Sequence, residues 1–328
     1  MRILAADIGG TNSRFACVEI DNLSSVSMGE SFVFPTWLES ISSLHDLLDH
    51  FQQHAPFEIA DLEHYHAVSL GVAGAVDRSK ATLPNIPWDI DLASADNVPE
   101  IFMLNDFAAQ AHAFLDENLL DQLESVRPGL GFGPGSIAII GAGTGLGHAA
   151  LKPVAARRVV IGSESGHTTF AFHGPQERDI ERFLKSRIGK KWISNDDVVS
   201  GSGAALIHEC LSGETVSPAN ALSDASANAQ TRTMFSRFYA RACKNYCLAM
   251  HPVEKLIITG GIAAKNPHLV RSKEFSQEFN DAGHYRHLLK TVPIYLNTDQ
   301  SLGIRGAAIH AWLELDGITR DPLLKAEL

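Results

Sequence analysis

Four short clusters in this 328-residue chain carry residue types that could do chemistry. Asp7 lies just ahead of Gly9, Gly10, Thr11 and Asn12 in "ADIGGTN", at the end of an apolar run. A second glycine–threonine cluster, "GAGTGLG" at 141–147, follows another apolar run. Asn105 and Asp106 sit between the apolar "EIFML" and an alanine-rich stretch, and Glu164 and His167 stand three apart in "SESGH". Glycine turns approach phosphate closely, because they lack Cβ and can aim successive N–H groups at an anion. A carboxylate beside such a turn suits Mg²⁺ held through retained waters. A carboxylate at a strand end suits the base of a phosphoryl transfer, which must accept a hydroxyl proton. Each cluster also has a plain structural reading. Asp7 can cap a turn, Asn105 or Asp106 can cap a helix, and Glu164 with His167 can decorate an exposed loop.

The type of phosphate device follows from what surrounds the glycines. No G-x-x-x-x-G-K-[ST] string occurs, which excludes a Walker A loop. "GLGHAA" at 145–150 matches the dinucleotide pattern G-x-G-x-x-A, with Glu164 near the required offset. Pro153 and "RRVVIG" follow too closely for a helix after those glycines, so the match is a decoy. A β-hairpin whose turn wraps phosphates fits both clusters, and two of them could clasp one nucleotide from both sides.

The elements that must position these residues alternate strand and helix. Leu38, Ile41, Leu44, Leu48 and Phe51 recur at helical spacing, and "HAVSLGVAGAV" reads as a strand. "RPGLGFGPGS" at 127–136 reads as a solvent-facing connector. Phe235, Phe238, Tyr239, Ala242 and Tyr246 form an apolar helical stripe; "EKLIITGGIAAKN" is a strand with a Gly260-Gly261 turn; Leu302 to Leu315 reads as a final amphipathic helix. The order predicts an α/β architecture, and the recurrence of strand and Gly/Thr turn predicts duplication of a domain core.

Bulk properties narrow the partners. The length predicts two domains. With 45% hydrophobic and 20% charged residues the composition is globular, and a net charge of −11 argues against a nucleic-acid partner. No run approaches the roughly 20 apolar residues of a membrane helix, and the N-terminal residues do not read as a secretory signal. Cys17, Cys210, Cys243 and Cys247 make no disulfide framework and read as buried reduced thiols of a cytoplasmic protein. His45, His50 and His54 read as a solvated helix face, without the H-E-x-x-H that a zinc site needs.

"DIGGTN", "LNDF", "GAGTGLG", "ESGH" and "ITGGI" occur in the order seen in bacterial glucokinases of the actin-like, sugar-kinase and heat-shock ATPase superfamily. From Leu4 to the final helix the chain resembles the proteobacterial glucokinase branch. The resemblance implies a two-domain actin-like (ribonuclease H-like) α/β fold, with duplicated mixed sheets, flanking helices and an interdomain cleft. The smaller domain would comprise residues 1–112 and 304–328, the larger 113–303. It implies ATP-dependent phosphorylation of glucose at its 6-hydroxyl, with Asp106 as base and Asn105, Asp106, Glu164, His167 and Asp196 on the sugar. Ala6, Asp7, Ile8, Gly9, Gly10, Thr11, Asn12, Gly143, Thr144, Gly145, Gly260 and Gly261 would bind ATP, and Asp7 would hold Mg²⁺ through water. A cytoplasmic homodimer with glucose and ATP as its small-molecule substrates is implied too, with no nucleic acid and no membrane.

Four positions depart from the family pattern or stand apart in it. Ser165 replaces a common Gly. Asn85 and Trp88 sit where relatives carry an "N-x-x-W" stretch, which reads either as a cover over the sugar or as a buried Trp with a polar neighbour. Asp196 stands where relatives carry a sugar-binding Glu, one methylene longer, which leaves open a kinase for another hexose or an N-acetylhexosamine. A non-kinase nucleotide-driven binding module on the same fold is the other alternative.

Overall fold

The computed structural model describes residues 1–77, 79–83, 86–95, 99–155, 157–223 and 228–317. The chain forms two compact units, Met1–Gln122 with Ser301–Leu328, and Leu123–Gln300. Divisions at 112 and 304 would cut through the helices Asp106–Ala113 and Leu302–Leu315. The observed boundaries leave both helices whole.

In the first unit, strands β1 (Arg2–Ile8), β2 (Asn12–Asn22), β3 (Ser25–Met28), β4 (Phe32–Pro35), β5 (Ala67–Val72) and β9 (Glu100–Asn105) form one sheet. Its order is β3-β2-β1-β5-β9, with β4 also on β2. A smaller sheet holds β6 (Ala75–Asp77), β7 (Lys80–Thr82) and β8 (Asp89–Asp91). β1 and β2 are an antiparallel hairpin, whereas β5 and β9 run parallel to β1. β5 is buried along its whole length, as expected of a central strand covered on both faces.

The second unit repeats the plan. Its strands are β10 (Glu124–Arg127), β11 (Ser136–Ala142), β12 (Leu146–Val154), β13 (Arg157–Ser163), β14 (Val253–Thr259) and β15 (Ile294–Leu296). The order β13-β12-β11-β14-β15 reproduces β3-β2-β1-β5-β9 with the same directions, and β10 adds an antiparallel edge to β15. The duplication inferred from two glycine turns is therefore present strand for strand. β12 follows "GTG" directly, so the residues after these glycines are strand and the dinucleotide pattern is indeed a decoy.

Several local expectations change. The first helix covers only Leu44–His54, because Ser43 accepts a hydrogen bond from Asp46 N and caps it; Leu38 and Ile41 precede it. "RPGLGFGPGS" does not join the units. It lies within the second, where Gly131 N donates to Thr291 O (2.8 Å) and Phe132 N to Val253 O (3.1 Å). The helix Leu302–Leu315 has its predicted bounds but is buried on most sides, including Leu302, Ile304, Ala307, Ala308, Ile309, Ala311 and Trp312, so it is a core helix. The same holds for Ala229–Ala249, which buries Arg241 and Lys244 along with its aromatic stripe. Cys243 and Cys247 are buried, but Cys17 and Cys210 are only half-buried; all four are free.

Candidate active site

In the first unit, three parallel strands deliver the candidate residues to one sheet edge. The register aligns Ile8 with Val72, and Val72 with Asn105. Asp7 and Asp106 therefore flank one line across β1, β5 and β9, at the carboxyl ends where open α/β sheets bind ligands. With strands ~4.8 Å apart, two spacings separate them by about 10 Å.

Asn105 is the N-cap of the helix Asp106–Ala113. Its Oδ1 accepts from Phe107 N (2.9 Å) and Ala108 N (3.3 Å), and its Nδ2 donates to Gly74 O (3.1 Å). The capping reading is thus correct for Asn105, and its side chain is held at both ends. Asp106 is the first helical residue, half-buried, with Oδ1 accepting from Phe107 N at 2.9 Å.

Asp7, one residue before the end of β1, pairs with Arg14 of β2, whose Nη1 lies 3.5 Å from Asp7 Oδ2. Burial raises the Asp7 pKa, and Arg14 pulls it down less than burial pushes it up. The turn beyond is braced from below: Gly9 N donates to Asn12 O (3.0 Å), and buried Thr36 donates to Gly9 O (2.8 Å) and pairs with Ser13 Oγ (2.8 Å). Gly10 is half-buried, while Thr11 and Asn12 are exposed. Ala6 and Ile8 turn their side chains into the core, leaving only backbone for a ligand.

The second unit builds an equivalent turn between β11 and β12. Gly143 N donates to Gly145 O (2.8 Å), and Thr144 is exposed at the tip. β11 and β14 pair Gly141 with Thr259, so Gly260 (φ 86°) and Gly261 emerge beside this turn. Tyr239, wholly buried beneath it, accepts from Ala142 N at 3.2 Å.

Glu164 and His167 bound a short 3₁₀ turn after β13, with Oε2 and Nε2 3.6 Å apart and both side chains more than 60% exposed. Exposure leaves both available to a polar ligand. Below them, Asn195 fixes the turn: its Nδ2 donates to Thr168 O (3.0 Å), Thr168 Oγ1 (2.9 Å) and Ser165 O (3.3 Å). Ser165 Oγ is within 2.7 Å of Ser163 Oγ, so the serine found here in place of glycine secures the turn's entrance.

Asp196 makes a backbone contact within this unit. Its Oδ1 accepts from Leu146 N at 2.6 Å, behind the Gly143–Gly145 turn. Trp88 is buried in the first core, and its Nε1 has no hydrogen-bond partner among the described residues; Asn85 lies outside the described residues. No cluster of three metal-ligating side chains occurs among the described residues.

Sequence reasoning missed Arg14, Thr36, Ser13 and Tyr239. Arg14 was readable: a hairpin with its turn at 9–11 places it opposite Asp7. Thr36 and Tyr239 reach the turns from distant segments and left no local signal.

The sequence model of the glucokinase family matches residues 4–313. The glucokinase of Synechocystis sp. is 30% identical, across 95% of this chain and 98% of that protein. The structure of a glucokinase from an Antarctic psychrotroph shares 26% identity and a TM-score of 0.75, covering 94% of this chain and 98% of that one. A ROK family glucokinase from Streptomyces griseus, solved with glucose and AMPPNP, shares the fold at a TM-score of 0.56 and 18% identity, over 94% of this chain and 98% of its own. Mixed sheets with flanking helices, expected from the sequence, are the architecture common to these sugar kinases. With a match that runs from the first strand into the final helix, the chain belongs to the glucokinase family.

Proposed function

We propose that this protein transfers the terminal phosphoryl group of ATP to the 6-hydroxyl of glucose, with Asp106 as the base. The observation that carries the reading is the shared strand edge that holds Asp7 and Asp106 about two strand spacings apart. Support for the substrates comes from the Synechocystis glucokinase and from the Streptomyces griseus structure with glucose and AMPPNP.

Phosphoryl transfer asks the protein chiefly for positioning and charge stabilisation. The turns at Gly9–Asn12 and Gly143–Gly145 offer backbone N–H groups and the Thr11, Asn12 and Thr144 side chains to phosphate oxygens, and Gly260 and Gly261 form the turn on which adenosine would rest. Asn105, Glu164 and His167 offer hydrogen bonds to sugar hydroxyls. As the 6-oxygen attacks the terminal phosphorus, its proton passes to Asp106 and the bond to the β-phosphate bridging oxygen breaks, releasing ADP. Mg²⁺, when bound, would neutralise the phosphate charge. The residue to hold it is Asp7, through water, as is usual for this ion. Asp7 fits that task, because burial disfavours its charge and Arg14 compensates only in part.

The test is ADP release measured with glucose, mannose, fructose, N-acetylglucosamine and N-acetylmannosamine in turn. Release that depends on glucose is expected; release indifferent to every sugar would overturn the kinase reading. The family resemblance also supports a cytoplasmic homodimer that needs Mg²⁺. Fractionation, sedimentation and chelation test those three points in turn.

A further inference from the structure

We propose that Asp196 is a positioning residue for the phosphate turn at Gly143–Gly145 and not a ligand of the sugar. The inference rests on the kinase reading, since it concerns how that site is held. Asp196 Oδ1 accepts a charge-assisted hydrogen bond from Leu146 N at 2.6 Å, where the turn re-enters β12. The fit is close: a Cβ on Gly145 would lie 2.5 Å from the same oxygen. A side chain at position 145 would therefore displace the Asp196 carboxylate from Leu146 N, and backbone strain plays no part because φ is not positive.

The segment that carries Asp196 is anchored on both sides. Asn195 binds the turn of Ser165–His167 through Thr168 and Ser165. Gly201 N donates to Gly143 O at 2.9 Å. A capping box between Ser194 and Asp197, with Lys190 Nζ 2.7 Å from Asp197 Oδ1, fixes its start. Residues 195–201 thus brace the phosphate turn from behind while holding the Glu164–His167 turn in place. Aspartate has the length that places its oxygen on Leu146 N with the backbone of Gly145 against it.

The experiment uses the whole chain, with Asp196→Ala, Asp196→Asn and Gly145→Ala, alone and with Gly145→Ala combined with Asp196→Ala. It reads kcat, the KM values for ATP and glucose, and AMPPNP affinity by calorimetry without sugar. Losing a hydrogen bond to a charged group is worth about 10- to 100-fold. For Asp196→Ala we expect AMPPNP affinity to fall and KM for ATP to rise by about 10-fold or more. KM for glucose should change by less than about 2-fold, a separation of ligands that general loosening would not produce. Asp196→Asn, whose amide oxygen still accepts from Leu146 N, should recover part of the loss. Gly145→Ala should cost less when Asp196 is already alanine, because its clash partner is gone.

A KM for glucose raised about tenfold in Asp196→Ala, with AMPPNP affinity unchanged, would overturn the inference. If Asp196→Ala fails to fold, near-isosteric Asp196→Asn decides by the same comparison. A wild-type protein that binds AMPPNP but phosphorylates no hexose sinks the kinase reading alone. Calorimetry on the variants then still decides the role of Asp196.

Discussion

Asn105 and Asp106, the proposed base, stand side by side at the start of one helix. Asn105 uses its side-chain oxygen to cap the helix and its amide to hold Gly74, so the backbone beneath Asp106 is fixed before any substrate arrives. Asp106 then has the task that cannot be shared. Asp106→Ala should lower kcat by about 10²–10⁴-fold while leaving KM for ATP near its wild-type value, as steady-state kinetics would show. A full rate in that variant would remove Asp106 from the mechanism and leave the fold untouched. At this scale the sequence was readable where a role is local. Asn and Asp after an apolar run announced a cap, and the structure gives it to Asn105; the base at Asp106 is the proposal that the kinetics above test. The hydrogen bond from Leu146 N to Asp196 was not readable, because the donor is a main-chain N–H fifty positions away, and no side-chain pattern marks a backbone donor.

Two helices decide whether those residues stay in place. The final helix Leu302–Leu315 packs on the helix Asp106–Ala113 so closely that a Cβ at Gly306 would lie 1.7 Å from Ala109 O, while Gly303 faces Asp7. Gly306→Ala must push the helices apart and should destabilise the first unit by roughly 1–3 kcal/mol or more, the range for overpacking, seen as a lower midpoint in denaturant. The same pair of helices holds two half-buried histidines, His112 and His310, with ring centroids 4.8 Å apart. Burial pushes His112 down to about 3, with His310 adding repulsion. In the second unit burial pushes His148 down to about 4. In the unfolded chain these imidazoles take a proton near pH 6.5; in the folded protein they resist it. Stability is therefore complete above about pH 6.5 and falls as pH drops below it, by about 1.4 kcal/mol per pH unit for each histidine. The loss should level off near pH 4 for His148 and near pH 3 for His112. Chemical denaturation between pH 8 and pH 4 would show the slope, and His112→Gln should flatten it. None of this was legible beforehand. Helical spacing predicted the bounds of the final helix, but an amphipathic face was expected where the helix is covered on most sides, since a pattern rich in alanine and glycine does not reveal how many neighbours approach.

On the scale of the whole molecule, the repeated strand order was foreshadowed by two Gly/Thr turns after two apolar runs, and it held because a hairpin followed by parallel strands needs the same alternation each time. The unit boundaries were harder to see. "RPGLGFGPGS" has the composition of a linker, yet its backbone bonds to residues 253 and 291 of the second unit, and glycine-rich composition does not separate a linker from a tightly packed loop. The second unit is one continuous segment, Leu123–Gln300, and it encloses its own buried charges: Arg241 pairs with Glu177 (2.6 Å) and Glu278 (2.8 Å), and Lys244 with Glu278 (3.1 Å). Burial pushes Glu278 up, but Arg241 and Lys244 outweigh it and hold it at about 2. Expressed alone, residues 123–300 should therefore unfold as a single cooperative transition by circular dichroism. Residues 1–122 alone, lacking the final helix, should show none.

The return of the last helix to the first unit also orders events on the ribosome. Strands β1 to β9 are made early, but the helix that covers them is encoded after the whole second unit. At about 5–20 residues per second, the early sheet waits roughly 10–40 s for its cover. The second unit can close in the meantime, because everything it needs is already synthesised. The order of maturation is thus the reverse of the order of translation: the segment that carries Asp7 and Asp106 is born first and finished last. During that interval its apolar face is the part of the nascent chain that a chaperone has most reason to hold.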